Sequence, residues 1–251
     1  AIEKHQSDKE SRTPNPPCLE LVLEGIGMIA SLINPDVLHD LIDALNPLFE
    51  ARDLRIHVAL ECLQAAYLAN QTMIQTEMAN AEMDDGGTRS SVPTEAAASA
   101  ASLLAAFDVR SLDIRLYDTL LRMIEESCDV ETTELFLRTL SIAFDRRKVP
   151  VGRRAAFARR LMQLALLTLD HSVAISVLGA AFACLPDRSW PERVLEEDDI
   201  VIQDFLTGLD DPDASQAIDS FPYELYALAH HWHPKVQLLA NSKLKAKPCH
   251  L

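Results

Sequence analysis

Three histidines within four residues, His230, His231 and His233, are the most obvious candidates for chemistry in this chain. Imidazole is the commonest zinc ligand, and an open zinc site needs only three protein ligands. The spacing argues against it, because adjacent His230 and His231 point about 100° apart on a helix and do not face one ion together. No Cys-x-x-Cys or His-Glu-x-x-His lies near them. Asp210, Asp211 and Asp213 lack the distal Glu that completes a calcium loop. Asp84-Asp85-Gly86-Gly87 is followed by no Gly-Lys-Ser, so it does not read as a phosphate loop. A Gly-x-Ser-x-Gly nucleophile turn is also missing. The expectation is a protein that binds without catalysis, with no cofactor and no metal.

A second concentration of functional groups runs from Arg138 to Arg160. Arg138, Arg146, Arg147, Lys148, Arg153, Arg154, Arg159 and Arg160 stand there against the single acid Asp145, in a chain of formal net charge −15. Such segregation gives a local potential opposite to that of the rest. Arginine outnumbers lysine in it, and the guanidinium fork holds two carboxylate or phosphate oxygens at once. The island from Arg146 to Arg160 is therefore expected to be a docking face for a polyanion or an acidic partner surface. The alternative is solvated surface charge at helix ends.

The elements that carry these residues read as helices throughout. In FPYELYALAHHWHPKVQLLAN (221–241), Leu225, Leu228 and Trp232 recur at helical spacing, as do Val236, Leu239 and Ala240. Proline at the first position of a helix loses no intrahelical bond, so His233-Pro234 should be the hinge, with His233 capping the second helix or filling the turn. Trp232 should be largely buried, because it shares a stripe with Leu225 and Leu228. Upstream, a stripe of Leu19, Val22, Leu23, Ile26, Ile29, Ala30 and Ile33 stops at Asn34-Pro35, and a second helix carries Val37, Leu38, Leu41, Ile42, Leu45 and Phe49. A third runs from about 54 to 72 with Ile56, Leu60, Leu63, Ala66 and Tyr67 on one face.

Order resumes after Asp108 with Leu112, Leu116, Tyr117, Leu120, Leu121 and Met123, and Asp129 is placed to cap a helix running to Phe144. A helix from about His171 to Leu185 is apolar nearly all round, through Val173, Ile175, Val177, Leu178, Ala181 and Phe182, and should be buried between neighbours. Two stretches break the pattern. Residues about 83–101 mix Gly, Ser, Asp and Pro before an alanine-rich tract and read as an exposed loop or a disordered insertion. Residues about 192–219 hold Glu196, Glu197, Asp198, Asp199, Asp204, Asp210, Asp211 and Asp213 and read as a solvated acidic loop.

Composition bounds the rest. The chain has 251 residues, 48% hydrophobic, with only 7 Gly and 6% aromatics, enough apolar mass for one large helical domain. The five cysteines, Cys18, Cys62, Cys128, Cys184 and Cys249, share no metal-ligand spacing and read as reduced core residues of a nuclear or cytosolic protein. No apolar run approaches the ~20 residues of a membrane span. Nonspecific nucleic-acid binding rests on neutralising phosphates, which the net charge opposes, so any RNA contact should be local. The predicted fold is all-α, an α-solenoid of HEAT/armadillo-like antiparallel helix pairs occupying 18–247, with a charged tail or linker at 1–17 and a short tail at 248–251. The abrupt start suggests a C-terminal portion of a longer protein.

Three stretches, in order, resemble the nucleolar complex protein 3 family of CCAAT-binding-factor-type nucleolar proteins. The first is LEGIGMIASLINPDVLHDLIDAL, through Leu23, Glu24, Gly25, Ala30, Leu32, Ile33, Asn34, Asp40, Leu41 and Leu45. The second is the Arg-Arg-Lys loop with Val151, Leu164, Ala165 and Leu166. The third is the C-terminal run, where Tyr223, Glu224, Leu225, Leu228, His231, Trp232, His233, Pro234, Val236 and Ala240 fit the family motif while Ala229 and His230 depart from it. The resemblance implies a helical-repeat scaffold of the nucleolus and nucleoplasm that binds nucleolar complex protein 2 and precursors of the large ribosomal subunit during pre-rRNA processing, maturation and transport. It gives the basic island ribosomal RNA or an acidic partner as its target, with no membrane and no small-molecule substrate. The same family implies a second role, as a chromatin-bound replication-initiation factor. A generic acidic HEAT-type adaptor fits the composition as well.

Overall fold

The computed structural model describes residues 18–29, 33, 37, 40, 44, 54–84, 109–126, 129–145, 148–185 and 204–244. Among the described residues there are eight α-helices and no strand, so the all-α expectation holds. The chain divides into two compact units, residues 1–112 and 113–251.

In the first unit, α1 (Leu19–Ile29) packs on α2 (Ile56–Asp84). Leu23, Leu54, Val58, Cys62 and Ala65 form their shared core, with Leu19 and Ile26 partly buried against it. Val22 and Ile29, expected on the same stripe, are exposed. The predicted face of α2, Ile56, Leu60, Leu63, Ala66 and Tyr67, is buried. The helix continues twelve residues beyond the expected end at Thr72 and takes in Met83 and Asp84, which the sequence assigned to an insertion. The Asn34-Pro35 turn, most of the helix expected at 37–49, the remainder of the 83–101 insertion and both tails lie outside the described residues.

The second unit is built from α3 (Val109–Glu126, whose first turn holds the division), α4 (Val130–Phe144), α5 (Val151–Leu167), α6 (His171–Cys184), α7 (Tyr223–Ala229) and α8 (Pro234–Leu244). Local chemistry sets the boundaries. Asp129 caps α4 as expected, its Oδ1 accepting from the Thr132 N–H at 2.8 Å. Asp170 does the same for α6, accepting from the Ser172 N–H at 2.8 Å. Pro234 opens α8, and the His233 carbonyl accepts its first helical bond, from Gln237 at 3.1 Å.

These helices stack in two rows. Arg154, at the start of α5, donates to the carbonyls of Ala183, Cys184 and Leu185 at the end of α6, so α5 and α6 are antiparallel. Those bonds also satisfy carbonyls that the last turn of α6 leaves without helical partners. Tyr117 packs edge-on against Phe157, while the first turn of α5 meets Asp113, so α3 lies beside α5 and runs the same way. His171 and His233 stack at the starts of α6 and α8, and Lys243 lies over the Phe182 ring near their ends, so these two also run in one direction. With α7 against α5 and α4 against α6, one row is α3, α5, α7 and the other is α4, α6, α8. This repetition of neighbouring pairs is what the solenoid reading expects.

The predicted stripe of α3 is buried at Leu112, Leu116, Tyr117, Leu120 and Met123. Helix α6 departs from the expectation of burial all round: Val173, Val177, Leu178 and Ala181 are buried, whereas Ser176, Gly179 and Ala183 are exposed. The tightest packing is on α5, where Ala155, Ala156, Phe157, Ala158, Leu161, Met162 and Ala165 are fully buried. Phe157 is held edge-on by both Tyr117 and Phe144.

Candidate functional site

Helix α5 carries most of the basic island, and the structure puts the island's arginines to a different use from the one expected. Arg159 is 2% exposed and Arg160 0%, and Arg153 is buried as well. A helix beside neighbours on several sides has no free face for them, so each guanidinium must find its partners inside. Arg153 donates from Nη1 to Asp113 Oδ2 at 2.6 Å and grips Asp213 with two bonds, Nε to Oδ1 at 3.0 Å and Nη2 to Oδ2 at 2.6 Å. The Asp213 bonds are the chief reason that its pKa rises, against the burial that would lower it.

Arg159 donates from Nη1 to Ser220 Oγ at 2.7 Å, and its Nε lies 2.6 Å from Glu224 Oε2, a charge contact rather than an aligned hydrogen bond. Its guanidinium also lies over the Phe205 ring, and the other Glu224 oxygen accepts from Gln163 at 2.9 Å. Arg160 is satisfied by backbone: Nη1 donates to the Tyr117 carbonyl at 2.6 Å, and Nη2 to those of Thr207 and Leu209 at 2.9 and 2.6 Å. Its guanidinium lies 3.5 Å from the centroid of the Tyr117 ring, a cation–π contact. Burial lowers the pKa of Arg160 and pushes the Tyr117 phenol up to about 12.

The expectation of a basic docking face from Arg146 to Arg160 is therefore corrected at Arg153, Arg159 and Arg160, which lie inside and are bonded. Arg154 is half-buried and caps α6, Lys148 is exposed, and Arg146 and Arg147 lie outside the described residues. The acidic stretch is partly built in: among residues 204–219, Asp204, Asp210, Asp213 and Asp219 are exposed, as a solvated loop requires, while Asp213 also pairs with Arg153, and Ser215, Ala217 and the following Ser220 are buried. Gln216 adopts a left-handed φ of 57° between two of those buried residues, a conformation that costs a non-glycine residue about 1–2 kcal/mol. Residues 192–203 lie outside the described residues.

The C-terminal motif divides in the same way. Leu225, Leu228, Val236 and Ala240 are buried as expected, and Glu224 is buried through its pairing with Arg159. Trp232 is 69% exposed, which corrects the expectation that it fills the core. The reason is local: α7 ends at Ala229, and His230 turns the chain with its N–H donating to the Ala227 and Leu228 carbonyls. Trp232 thereby loses its helical phase with Leu228. His231 takes the inner place instead, buried, its N–H donating to the Leu228 carbonyl and its Nδ1 accepting from the His233 N–H at 3.1 Å.

His233 neither caps α8 with its ring nor turns outward. It stacks on His171 with ring centroids 4.3 Å apart. Desolvation, and then the neighbouring His171, Lys235 and His231, lower its pKa. Among the thiols, Cys62 and Cys184 are buried and pushed up to about 12 chiefly by desolvation, which makes them inert. Cys18 is exposed, contrary to the core expectation, and Cys128 and Cys249 lie outside the described residues.

Sequence reasoning missed Asp113, Tyr117, Asp213 and Ser220 as partners of the arginines. It also missed Leu167 and Leu169, whose side chains are 62% and 90% exposed at the turn between α5 and α6. A usable signal was the setting of Arg153, Arg159 and Arg160 among Ala155, Ala156, Phe157, Ala158 and Leu161, an apolar background that solvated cations seldom have.

The model of the CBF/Mak21 family matches residues 96–240, which span the stacked pairs from before α3 into α8. The chain is 27% identical over 234 residues to the nucleolar complex protein 3 homolog of Homo sapiens, covering 92% of this chain and 26% of that protein. It is 28% identical over 224 residues to the Xenopus laevis homolog, covering 88% and 24%. To nucleolar complex protein 3 of Drosophila melanogaster it is 26% identical over 235 residues, covering 90% and 24%. The chain thus spans about a quarter of the length of the curated relatives it matches.

Proposed function

This chain belongs to the CBF/Mak21 family, and from that premise we propose that it is a non-catalytic scaffold of ribosome biogenesis in the nucleolus and nucleoplasm. It holds nucleolar complex protein 2 and precursors of the large ribosomal subunit while the pre-rRNA is processed and the subunit matures and is transported. The observation that carries this reading is the family match across 96–240, the stretch in which the helix pairs stack. The names of its relatives support the nucleolar address. Stacked pairs offer long surfaces on which several partners sit at fixed spacing, the physical requirement of a scaffold. With a net charge of −15, the chain meets RNA locally and leaves most of its surface to protein partners.

Tagged protein expressed in cells tests this by imaging, by gradient sedimentation of nuclear extract and by affinity purification. Nucleolar signal, co-sedimentation with large-subunit precursors and recovery of nucleolar complex protein 2 are the expected results. Recovery of origin-bound replication proteins in place of ribosomal precursors would assign the chain to chromatin. Diffuse signal with neither set of partners would leave a generic adaptor and overturn the proposal.

A further inference from the structure

We propose that the turns joining α5 to α6 and α7 to α8 form a docking ridge for a short segment of a partner protein that combines large apolar side chains with carboxylates, an inference that rests on the scaffold reading. The His171–His233 stack, with ring centroids 4.3 Å apart, brings the two turns together. Leu169 precedes His171 by two residues and Trp232 adjoins His233, so each lies within about 7 Å of the stack along the chain. The exposed side chains Leu169 and Trp232 therefore stand on either side of one stack, with the exposed Leu167 two residues before Leu169 at the end of α5. Single exposed apolar residues are ordinary, but a tryptophan and two leucines gathered at paired turns mark an interaction site.

Charge selects the occupant. From Leu225 to Leu244 the sequence contains no carboxylate, while His230, His231, His233 and Lys235 flank Trp232 and His171 faces the same stack. Asp170 is the acid on the α5–α6 turn, and its Oδ1 already accepts from the Ser172 N–H and hydroxyl at 2.8 and 2.7 Å. His231 is buried and the fold lowers the His233 pKa, so in this carboxylate-free stretch of an acidic chain it is the exposed Lys235 that an incoming carboxylate meets. A nucleic acid would find the indole face and Lys235, but nothing to do with Leu167 and Leu169, and it would be repelled by the rest of the chain. A protein segment uses both features, with the tryptophan as its anchor.

A displayed library of random peptides, panned against the full chain, tests this directly. Enriched peptides should share large apolar residues beside Asp or Glu. A synthetic, labelled copy read by anisotropy should bind roughly thirtyfold more weakly to Trp232→Ala, the loss typical of a hot-spot aromatic, and less weakly to Trp232→Phe. Leu169→Ser should weaken binding, and Lys235→Glu should abolish the preference for acidic peptides, with helical circular dichroism unchanged in all four variants. No enrichment, or enriched peptides that bind Trp232→Ala as well as the parent, would overturn the proposal. So would binding of labelled oligouridylate that depends on Trp232 when no peptide is selected. Gradient sedimentation of the parent separates this outcome from the fate of the scaffold reading: a parent that rides with precursors while the ridge binds no peptide refutes the ridge alone, and one that binds peptides but never rides with precursors refutes the scaffold reading alone.

Discussion

The arginines of α5 and the turns at the ends of the helix rows handle their residue types in opposite ways. Along α5, side chains that normally seek water are sealed in, each with oxygen partners from other elements. At the turns, a tryptophan and two leucines that normally seek a core stand in solvent. The difference teaches that residue type alone located neither the surface nor the interior of this protein. Burying a cation is tolerable only where several fixed acceptors converge on it, and three such clusters exist on one helix. Exposing a large apolar group carries little folding penalty but leaves a surface open to association.

The contrast is broken most forcefully by Arg153→Ala. Removal leaves Asp113 buried with its cation gone, and unfolding by urea should show a loss of about 3–5 kcal/mol, as when one partner of a buried pair is deleted. A loss under ~1 kcal/mol would mean that Asp113 is solvated and that α5 is not sealed. For the same reason, exchanging Arg153 or Arg160 for Glu should unfold the second unit rather than release a partner.

Turn residues that bond the backbone should matter while their outward neighbours do not. Asp129→Ala removes the cap of α4 and should cost about 1 kcal/mol in the same measurement. An unchanged midpoint would show that the Thr132 N–H finds water instead.

Acidification sharpens the comparison at the histidine stack. An imidazole whose pKa is lower in the fold than in the unfolded chain binds fewer protons when folded, so its contribution is complete above the ordinary imidazole value and declines as pH falls through it. Stability should therefore drop below about pH 6.5, and His233→Gln should flatten that part of the profile. A profile that does not respond to the substitution would mean that His233 titrates as freely in the fold as outside it.

The smallest effect is expected at Trp232→Ala, within about 0.5 kcal/mol, because the side chain is mostly in water. A loss of about 3–5 kcal/mol, proper to a buried aromatic, would restore the tryptophan to the core and remove the ridge.

Helix patterning was legible for the aliphatic stripes of α2 and α3, though Val22 and Ile29 of α1 and one face of α6 stand exposed against expectation. The stripes of α2 and α3, the Asp129 cap and the Pro234 hinge follow from short-range rules that the sequence displays directly. Helix α5 stayed hidden because its stripe is interrupted by cations, and a hydrophobicity pattern scores a buried arginine as surface. Its partners were hidden for another reason: Asp113 and Asp213 lie 40 and 60 residues from Arg153, and no local spacing signals such pairings. The error at Trp232 was one of boundaries, since a helix that stops at Ala229 rotates everything beyond it out of phase. The carboxylates of the acidic stretch do stand largely in solvent, and what stayed hidden there was the long-range pairing of the part-exposed Asp213 with Arg153.

One further consequence attaches to the way α5 reaches both neighbours in its row. Its guanidinium groups touch α3 through Asp113 and Tyr117, α7 through Glu224, and the intervening segment through Asp213, Thr207 and Leu209. In a linear array of repeats, the sharpness of melting depends on how strongly adjacent units are coupled relative to their own stability. Ionic clasps that span three successive units raise that coupling, so the terminal pair α7–α8 should not fray ahead of the rest. Its amides should exchange with solvent at the rate of global opening, and heat should take the second unit apart in a single transition.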